Sequence, residues 1–286
     1  MNQLIADNKV STLRSYLVSK LEGVYSAREA GNLVQLLFET FNRWTRSELV
    51  LNAEQRLGES ELLRYHFALK RLLQGEPIQY VLGYTWFLDL RMATTPAALI
   101  PRPETEELVR LTVERNKAAA PRILDIGTGT GCIAIALQKL LPEAAITAID
   151  VSPKALDLAK NNAKTHEAPI AFKQLDLLHE TPEGVFDLVV SNPPYIPLSE
   201  ATTMEQRVTE HEPHIALFTE DADALIFYRR MMELTPTFLS DNGIVLCEIH
   251  ESMADALMLL AQSFNLSSPE IHIDMQGKNR MMTWRK

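Results

Sequence analysis

The sequence predicts an α/β protein with a doubly wound, mostly parallel sheet, preceded by a small helical domain. Three observations carry this prediction. Strand and helix patterns alternate from residue 121 onwards, as in a sheet covered by helices on both faces. Apolar residues recur at helical spacing up to about residue 76. A glycine-rich loop joins the first strand of the alternating region to its helix.

The first 76 residues are predicted to form a bundle of four or five helices. Leu13 and Leu17 stand four positions apart, and similar spacings continue in the segments that follow. Such a spacing places side chains on one face of a helix. Thr45 with Glu48 matches the capping box that begins a helix. We therefore interpret residues 1–76 as an N-terminal helical domain.

Residues 77–102 change character and are predicted to form a linking β-hairpin. Residues 79–87 are aromatic and β-prone, and residues 88–92 alternate between apolar and polar side chains. Pro103 then suits the first position of a helix, with acidic residues in the turn that follows. The main domain is therefore expected to span residues 103–286.

The main domain shows seven short runs of strand-forming residues separated by helical patterns. The predicted strands cover residues 122–126, 145–149, 170–175, 186–190, 243–249, 270–275 and 280–284. The predicted helices cover residues 132–141, 153–164, 222–239 and 253–264. This alternation predicts a Rossmann-like, seven-stranded sheet, and ligands of such sheets bind at the carboxyl ends of the strands.

Composition and charge indicate an ordinary soluble globular protein. Of the 286 residues, 46% are hydrophobic and 23% charged, and a net charge of −9 argues against a surface that grips nucleic-acid phosphates. The apolar runs are too short to span a membrane, and no signal-peptide pattern is present. Cys132 and Cys247 both lie in apolar segments, which favours a reducing compartment. We expect a cytoplasmic protein that binds neither membrane nor nucleic acid directly.

The glycine-rich loop predicts a ligand held close to the backbone. Gly127, Gly129 and Gly131 alternate with Thr128 and Thr130. Glycines let the chain approach a ligand, and the following helix adds exposed N–H groups. A dinucleotide fingerprint would need a glycine at position 132, where this sequence has cysteine. An NAD site is therefore not expected.

Asp150, which ends the second predicted strand, points to the kind of ligand. An acidic side chain in this place can accept hydrogen bonds from both ribose hydroxyls. A glycine loop in register with a distal acid predicts a nucleoside ligand that has no strong need of phosphate, and S-adenosylmethionine meets that description. The alternative is a tight strand–helix turn with a solvated aspartate.

A stiff corner follows the predicted strand at 186–190. Pro193 and Pro194 end the strand, since proline fixes φ and supplies no N–H, and Pro193 also restricts Asn192. The Asn192 amide oxygen and the Pro193 carbonyl could accept both hydrogens of a planar NH2 group, while Tyr195 stacks on the flat group that carries it. The alternative is a simple strand-terminating turn.

The glycine loop, Asp150 and the Asn-Pro-Pro-Tyr corner together resemble class I methyltransferases that act on amino groups conjugated to flat π systems. The fuller resemblance is to the release factor glutamine methyltransferases (HemK/PrmC family), and it covers nearly the whole chain. The segments that carry it are residues 75–80, Gly83, Phe87, residues 100–106, 127–134, 150–152, Ala155, Leu156, residues 190–196, Glu212, Pro213, Tyr228 and Arg229.

The resemblance implies transfer of a methyl group from S-adenosylmethionine, leaving S-adenosylhomocysteine, to the N5 amide of the glutamine in the Gly-Gly-Gln motif of peptide chain release factors. This reaction modulates translation termination. The helical domain would dock the release factor, the enzyme would act as a monomer, and no metal is implied. In place of the aromatic side chain that relatives can carry over the adenine, this sequence has Leu177.

The resemblance also implies site residues, most of them at strand ends. The catalytic residues would be Asn192, Pro193 and Tyr195. The cofactor contacts would be Gly127, Thr128, Gly129, Thr130, Gly131, Asp150, Asp176, Leu177 and Asn192. The substrate contacts would be Asn192, Pro193, Pro194, Tyr195, Phe87 and Arg102.

Two other functions fit parts of the pattern. A DNA adenine or cytosine N-methyltransferase can carry the same asparagine corner, but such enzymes usually add a basic recognition domain, which this sequence lacks. A non-catalytic binding module would not need so complete a set of site residues. The run His211-Glu212-Pro213-His214 matches no standard metal motif, and Pro213 breaks the helix that would align its side chains.

Overall fold

The computed structural model describes residues 7–286, apart from the side chain of Gln206. The chain forms two compact units, the first ending at Gly83 and the second beginning at Tyr84. Within the described residues no helix is long and apolar enough to cross a membrane.

The first unit is a bundle of five helices within its described part. They are α1 (Val10–Leu21), α2 (Ala27–Asn42), α3 (Arg46–Leu51), α4 (Glu59–Leu73) and α5 (Ile78–Leu82). The apolar stripes of these helices meet in one core, where the Phe38 and Tyr65 rings lie 4.7 Å apart. The capping box predicted at α3 is present, since Thr45 and Glu48 exchange hydrogen bonds. The predicted helical bundle is confirmed.

The second unit begins with a β-hairpin. Strand β1 (Tyr84–Phe87) pairs antiparallel with β2 (Leu90–Ala93), as the aromatic and alternating patterns predict. The two turn residues, Leu88 and Asp89, both have positive φ values. Positive φ at both central residues is the geometry of a tight two-residue hairpin turn.

The second unit is built on a seven-stranded sheet whose strands run in the order β10-β11-β9-β6-β3-β4-β5. Its strands are β3 (Arg122–Ile126), β4 (Ala145–Asp150), β5 (Ala171–Gln174), β6 (Phe186–Ser191), β9 (Leu239–Glu248), β10 (Ser267–Ile273) and β11 (Asn279–Arg285). The five strands from β5 to β9 are parallel, whereas β10 and β11 pair antiparallel at one edge. The predicted doubly wound, mostly parallel sheet is confirmed.

Helices cover both faces of the sheet. The helices of this unit that flank the sheet are α6 (Pro103–Arg115), α7 (Cys132–Leu140), α8 (Pro153–Thr165), α11 (Ile226–Phe238) and α12 (Ala254–Ser263). Strand β6 shows how the two cores arise, because Leu188 and Val190 join the core under α6 and α7 while Val189 joins the core under α11 and α12. Alternate residues of a strand point to opposite faces of its sheet.

The strand order places a crevice between β3 and β6. From β3 the chain moves outwards to β4 and β5, and then returns to the other side of β3 as β6. Such a reversal opens a crevice at the carboxyl ends of the two central strands. The glycine loop after β3 and the Asn-Pro-Pro-Tyr corner after β6 therefore stand on either side of one crevice.

Residues 196–219 form short elements that the sequence analysis does not assign. They comprise β7 (Ile196–Pro197), a 3-10 turn at Leu198–Thr203, α9 (Gln206–His211), α10 (His214–Leu217) and β8 (Phe218–Thr219). Strands β7 and β8 pair parallel in a small separate sheet. This segment continues directly from the corner, so it lies beside the crevice.

Candidate active site

A cavity of about 260 Å³ occupies the crevice. Of the residues expected to bind cofactor or substrate, those that line it are Arg102, Gly127, Thr128, Gly129, Thr130, Asp150, Asp176, Leu177, Asn192, Pro193 and Pro194. They come from loops that the sheet brings to one edge. The structure therefore gathers most of the predicted site.

Two of the three glycines in the loop are required for different structural reasons. Gly127, Gly129 and Gly131 all have positive φ values, which L side chains rarely adopt. A Cβ on Gly127 would meet no protein atom within 4 Å, so this glycine leaves open space at the cavity. A Cβ on Gly131 would lie 3.1 Å from Ala159 Cβ, and Gly131 does not line the cavity. Gly131, expected to contact the cofactor, serves the close packing of α7 against α8.

Asp150 ties the glycine loop to the end of β4. Its Oδ2 accepts a hydrogen bond from Gly129 N at 2.9 Å, and its Oδ1 accepts one from Ser152 N at 2.9 Å. Burial raises the pKa of this carboxyl, and the two backbone N–H groups act in the opposite sense. Because each oxygen accepts only one of these bonds, each keeps acceptor capacity towards the cavity.

Asp125, at the entrance of the same loop, is fully buried. Its Oδ2 accepts a hydrogen bond from Thr128 Oγ1 at 2.6 Å. Desolvation raises the pKa of Asp125 to about 7. The carboxyl thus takes up a proton on folding at pH values between its ordinary pKa of 3.8 and about 7.

This proton uptake gives a prediction for stability. The contribution of Asp125 is fully present below pH 3.8 and is lost as pH rises towards about 7. Over this window we expect the free energy of unfolding of the wild type, relative to Asp125→Asn, to fall with a slope of up to about 1.4 kcal/mol per pH unit. Urea unfolding of both proteins at several pH values measures the difference, and a pH-independent difference would contradict the assignment.

The turn after β5 forms the next wall of the cavity. The two carboxylate oxygens of Asp176 are engaged by Leu178 N at 3.0 Å and by the His179 imidazole at 2.8 Å. The hydrogen bond from His179 lowers the pKa of Asp176. Leu177 is only 5% exposed and also packs into the core under α11. This side chain offers an aliphatic surface to the cavity, in place of an aromatic ring.

The asparagine corner carries a chain of hydrogen bonds into the interior. Asn192 Nδ2 donates to Thr105 Oγ1 at 3.2 Å, and Thr105 Oγ1 donates to Glu248 Oε2 at 2.7 Å. Tyr195 OH donates to the other oxygen, Glu248 Oε1, at 3.2 Å. Burial and the nearby Glu248 raise the pKa of Tyr195, so its phenol is neutral at physiological pH. Tyr228 OH donates to the Glu248 backbone oxygen at 2.8 Å.

A second cavity of about 180 Å³ adjoins the corner. The residues that it shares with the first cavity are Leu99, Arg102, Asn192, Pro193 and Ala216, and Tyr195 lines it as well. The remaining side chains in its wall are apolar: Ile196, Met204, Val208 and Leu217. The Asn192 side chain therefore stands between two cavities, one beside the glycine loop and one beside Tyr195.

Arg102 is held by a buried carboxylate. Its guanidinium donates to Glu212 Oε1 at 2.6 Å, and the other Glu212 oxygen accepts from Ile100 N at 3.1 Å. Glu212 is thus engaged in fixing the wall of the crevice, and His214 donates from its ring to the Thr209 carbonyl. In the part of the chain that the structure describes, no group of three acidic, histidine or cysteine side chains is arranged to hold a metal ion.

Phe87 lies apart from both cavities. The side chain is 1% exposed and packs in the sheet core with Leu108 and Ile133, and it lines neither cavity. The sequence predicts that Phe87 contacts substrate, whereas an inward position on β1 places the ring in the core, away from both cavities. Two residues to which the sequence analysis gives no role support the site: Thr105 lines the first cavity, and Glu248 accepts hydrogen bonds from Thr105 and Tyr195. Thr105 lies in the segment 100–106 that carries the family resemblance, and the local signal of Glu248 is a carboxylate that ends the apolar strand β9.

A family model described as the methyltransferase small domain matches residues 106–216. A solved structure of a methyltransferase from Pyrococcus furiosus superimposes with a TM-score of 0.51 at 14% identity, over 79% of this chain and 98% of that one. The fold and the glycine-loop cavity define a class I methyltransferase.

Comparison with curated proteins identifies the family. A second model, the PrmC N-terminal domain, matches residues 12–83. The release factor glutamine methyltransferase of Flavobacterium psychrophilum is 38% identical over 96% of this chain and 98% of its own length. The protein of the same name from Bacteroides thetaiotaomicron is 35% identical over 96% and 99%. The chain belongs to the release factor glutamine methyltransferase family.

Proposed function

We propose that this protein transfers a methyl group to the N5 amide nitrogen of the glutamine in the Gly-Gly-Gln motif of peptide chain release factors. The single observation that carries the proposal is the position of Asn192, which stands between a nucleoside-sized cavity and a smaller cavity beside Tyr195. The names of the curated relatives support the same acceptor. We also propose that the protein acts in the cytoplasm as a monomer.

The cofactor of this class of enzymes is S-adenosylmethionine, and the cavity residues fit it. The open space at Gly127 allows close approach of a ligand to the backbone. Asp150 offers carboxylate oxygens to ribose hydroxyls, and Leu177 offers an aliphatic face to the adenine. The cofactor supplies an electrophilic methyl group. Gly127–Thr130, Asp150, Leu177 and Asn192 are the residues that we propose to hold it.

The acceptor needs help because the lone pair of an amide nitrogen is delocalised into its carbonyl. We propose that Asn192 Oδ1 and the Pro193 carbonyl accept the two NH2 hydrogens and so fix the direction of the nitrogen. Holding the reacting groups in this orientation is the main contribution of the corner. The same oxygens stabilise the positive charge that grows on nitrogen during transfer. Tyr195 packs against the amide plane, and Pro194 keeps the corner rigid.

No general base is required before transfer. The nitrogen becomes acidic once it carries the methyl group, and it then loses a proton to solvent. Glu248 lies behind the corner, and its two carboxylate oxygens already accept hydrogen bonds from Thr105 and Tyr195. This side chain is therefore not placed to remove the proton itself.

Mass spectrometry of a purified release factor tests the function. The factor is incubated with this protein and with methyl-labelled S-adenosylmethionine, and its tryptic peptides are analysed. We expect one labelled methyl group on the glutamine of the Gly-Gly-Gln motif. A DNA duplex serves as the alternative acceptor, and label on an adenine or cytosine instead of the glutamine would refute the proposal.

Replacement of Asp150 tests the cofactor site. We expect Asp150→Asn to weaken binding of S-adenosylhomocysteine by about 1–3 kcal/mol, because an amide accepts fewer hydrogen bonds than a carboxylate. Calorimetry measures the affinity. Asp157→Asn, an exposed aspartate on α8, is the matched control and should leave the affinity unchanged. Equal affinities for the wild type and Asp150→Asn would remove Asp150 from the site.

A further inference from the structure

The hydrogen bonds behind Asn192 have a direction. A carboxylate accepts hydrogen bonds and cannot donate them, so the 2.7 Å contact between Thr105 Oγ1 and Glu248 Oε2 uses the only hydroxyl proton of Thr105. Thr105 Oγ1 is left with lone pairs alone, and these can only accept from Asn192. The amide nitrogen of Asn192 therefore faces Thr105, at 3.2 Å. The amide oxygen of Asn192 then faces away from Thr105.

We propose that Thr105 and Glu248 are positioning residues that fix the Asn192 amide with its oxygen towards the acceptor. Neither side chain needs to touch the reacting atoms for this task. Thr105 is 3% exposed at the start of α6, and Glu248 is 1% exposed at the end of β9. Their pairing spans 143 residues of sequence, so the fold brings together two groups that no local motif connects.

The hydrogen bonds to Glu248 are those of a charged acceptor, although burial is the strongest influence and leaves the pKa of this carboxyl above its ordinary value. Burial raises the pKa of the Glu248 carboxyl, whereas the hydrogen bonds from Thr105 and Tyr195 and the positive charge of Arg280 lower it. Tyr195 donates to the second oxygen, so both carboxylate oxygens receive a hydroxyl proton. Protonation of either oxygen would displace one of these donors and disturb the chain of hydrogen bonds.

The consequence is selectivity for an amide over a carboxylate, and it rests on the proposed function. With its oxygen outward, Asn192 accepts hydrogen from the NH2 of glutamine and repels the oxygen of glutamate. If the amide rotated by half a turn, its own NH2 would face the acceptor and would favour glutamate. Without the direction imposed by Thr105, the two orientations of Asn192 would differ little in energy, since oxygen and nitrogen have nearly the same size.

The test uses the full chain, an intact release factor and the same factor with its Gly-Gly-Gln glutamine changed to glutamate. Thr105→Val keeps the shape of the side chain and removes its hydroxyl. The selectivity ratio is the inhibition constant of the glutamate factor divided by the KM of the glutamine factor. We expect Thr105→Val to lower kcat by about tenfold and to lower this ratio by about tenfold, the size of effect expected for loss of one orienting hydrogen bond. Thr105→Ser should restore both quantities.

Thr112→Val is the matched control, because Thr112 is buried on the same helix and donates its hydroxyl to Leu108 O. It should leave the selectivity ratio unchanged. If Thr105→Val fails to fold, Thr105→Ala is expected to give the same loss of selectivity. In the Asn192→Ala background, Thr105→Val should add no further loss of kcat, since it acts through Asn192.

Two results would overturn the inference. One is a selectivity ratio in Thr105→Val equal to that of the wild type, including the case in which both factors bind equally more weakly, and the other is an effect of Thr105→Val that adds fully to that of Asn192→Ala. If the wild type itself does not methylate the intact factor, the proposed function fails, and this inference falls with it. Retained wild-type methylation with an unaltered ratio in the variants refutes only the positioning role.

Discussion

Replacing Asn192 with alanine is expected to lower kcat by about a hundredfold or more, the effect of removing one preorganised polar partner from a transition state. Alanine takes away the oxygen that would accept an NH2 hydrogen, together with the NH2 group that now contacts Thr105. Asn192 lies at the edge of the cofactor cavity, so the affinity for S-adenosylhomocysteine should fall far less than kcat. Steady-state methylation of an intact release factor and calorimetry measure the two quantities.

Two further variants separate chemistry from structure in this experiment. Asn161→Ala removes an exposed asparagine from α8 and should leave kcat unchanged. Asn192→Asp keeps an acceptor but loses the N–H that contacts Thr105, and it adds a negative charge beside Glu248. Partial activity is expected from that variant. Near-wild-type kcat in a folded Asn192→Ala enzyme would show that the corner is only a turn.

The sequence was sufficient for those parts of the site that lie together in the chain. The glycine loop, Asp150 and the corner at Asn192 each stand at the carboxyl end of a strand, and parallel strands bring these ends to the same edge of a sheet. A local motif together with the predicted parallel sheet is therefore enough to bring them to one edge.

Contacts between distant segments could not be predicted in this way. Thr105 and Glu248 meet only because α6 packs against β9 at the depth where β9 ends. The sequence at Thr105 is typical of the first turn of a helix, which is a sufficient local reason for a threonine. Likewise, Glu212 meets Arg102 across 110 residues, and neither neighbourhood shows a partner.

Gly131 and Phe87 show the opposite case, in which a residue of a motif lies outside both cavities. From the sequence alone, a glycine that makes room for a ligand cannot be distinguished from one that makes room for a neighbouring helix. The structure distinguishes them, because a Cβ on Gly131 would lie 3.1 Å from Ala159 Cβ, whereas a Cβ on Gly127 would meet no protein atom within 4 Å. The short elements between residues 196 and 219 escaped prediction because two to six residues carry no measurable periodicity.

The second large effect concerns the helical unit, which we propose as the part that docks the release factor. This unit has its own core, formed by residues between Val10 and Val81. It can therefore act as a separate binding module that contributes no catalytic residue. On α3 and α4 it exposes large apolar side chains, with Leu51 83% and Phe67 59% exposed. Residues 1–80 carry 10 basic and 9 acidic side chains, in contrast to the acidic remainder of the chain.

Removal of residues 1–83 is expected to raise KM for the intact release factor by about tenfold or more, with kcat changed far less, because the loss of uniform binding affects KM alone. The paired change Leu51→Ser and Phe67→Ser should give a smaller rise in the same direction. Leu259→Ser, which alters a 67% exposed leucine on α12, is the control. The seven-stranded sheet and both of its cores lie after Gly83, so the shortened enzyme retains every site residue. A folded enzyme without residues 1–83 that methylates the intact factor with unchanged kcat/KM would refute the docking role.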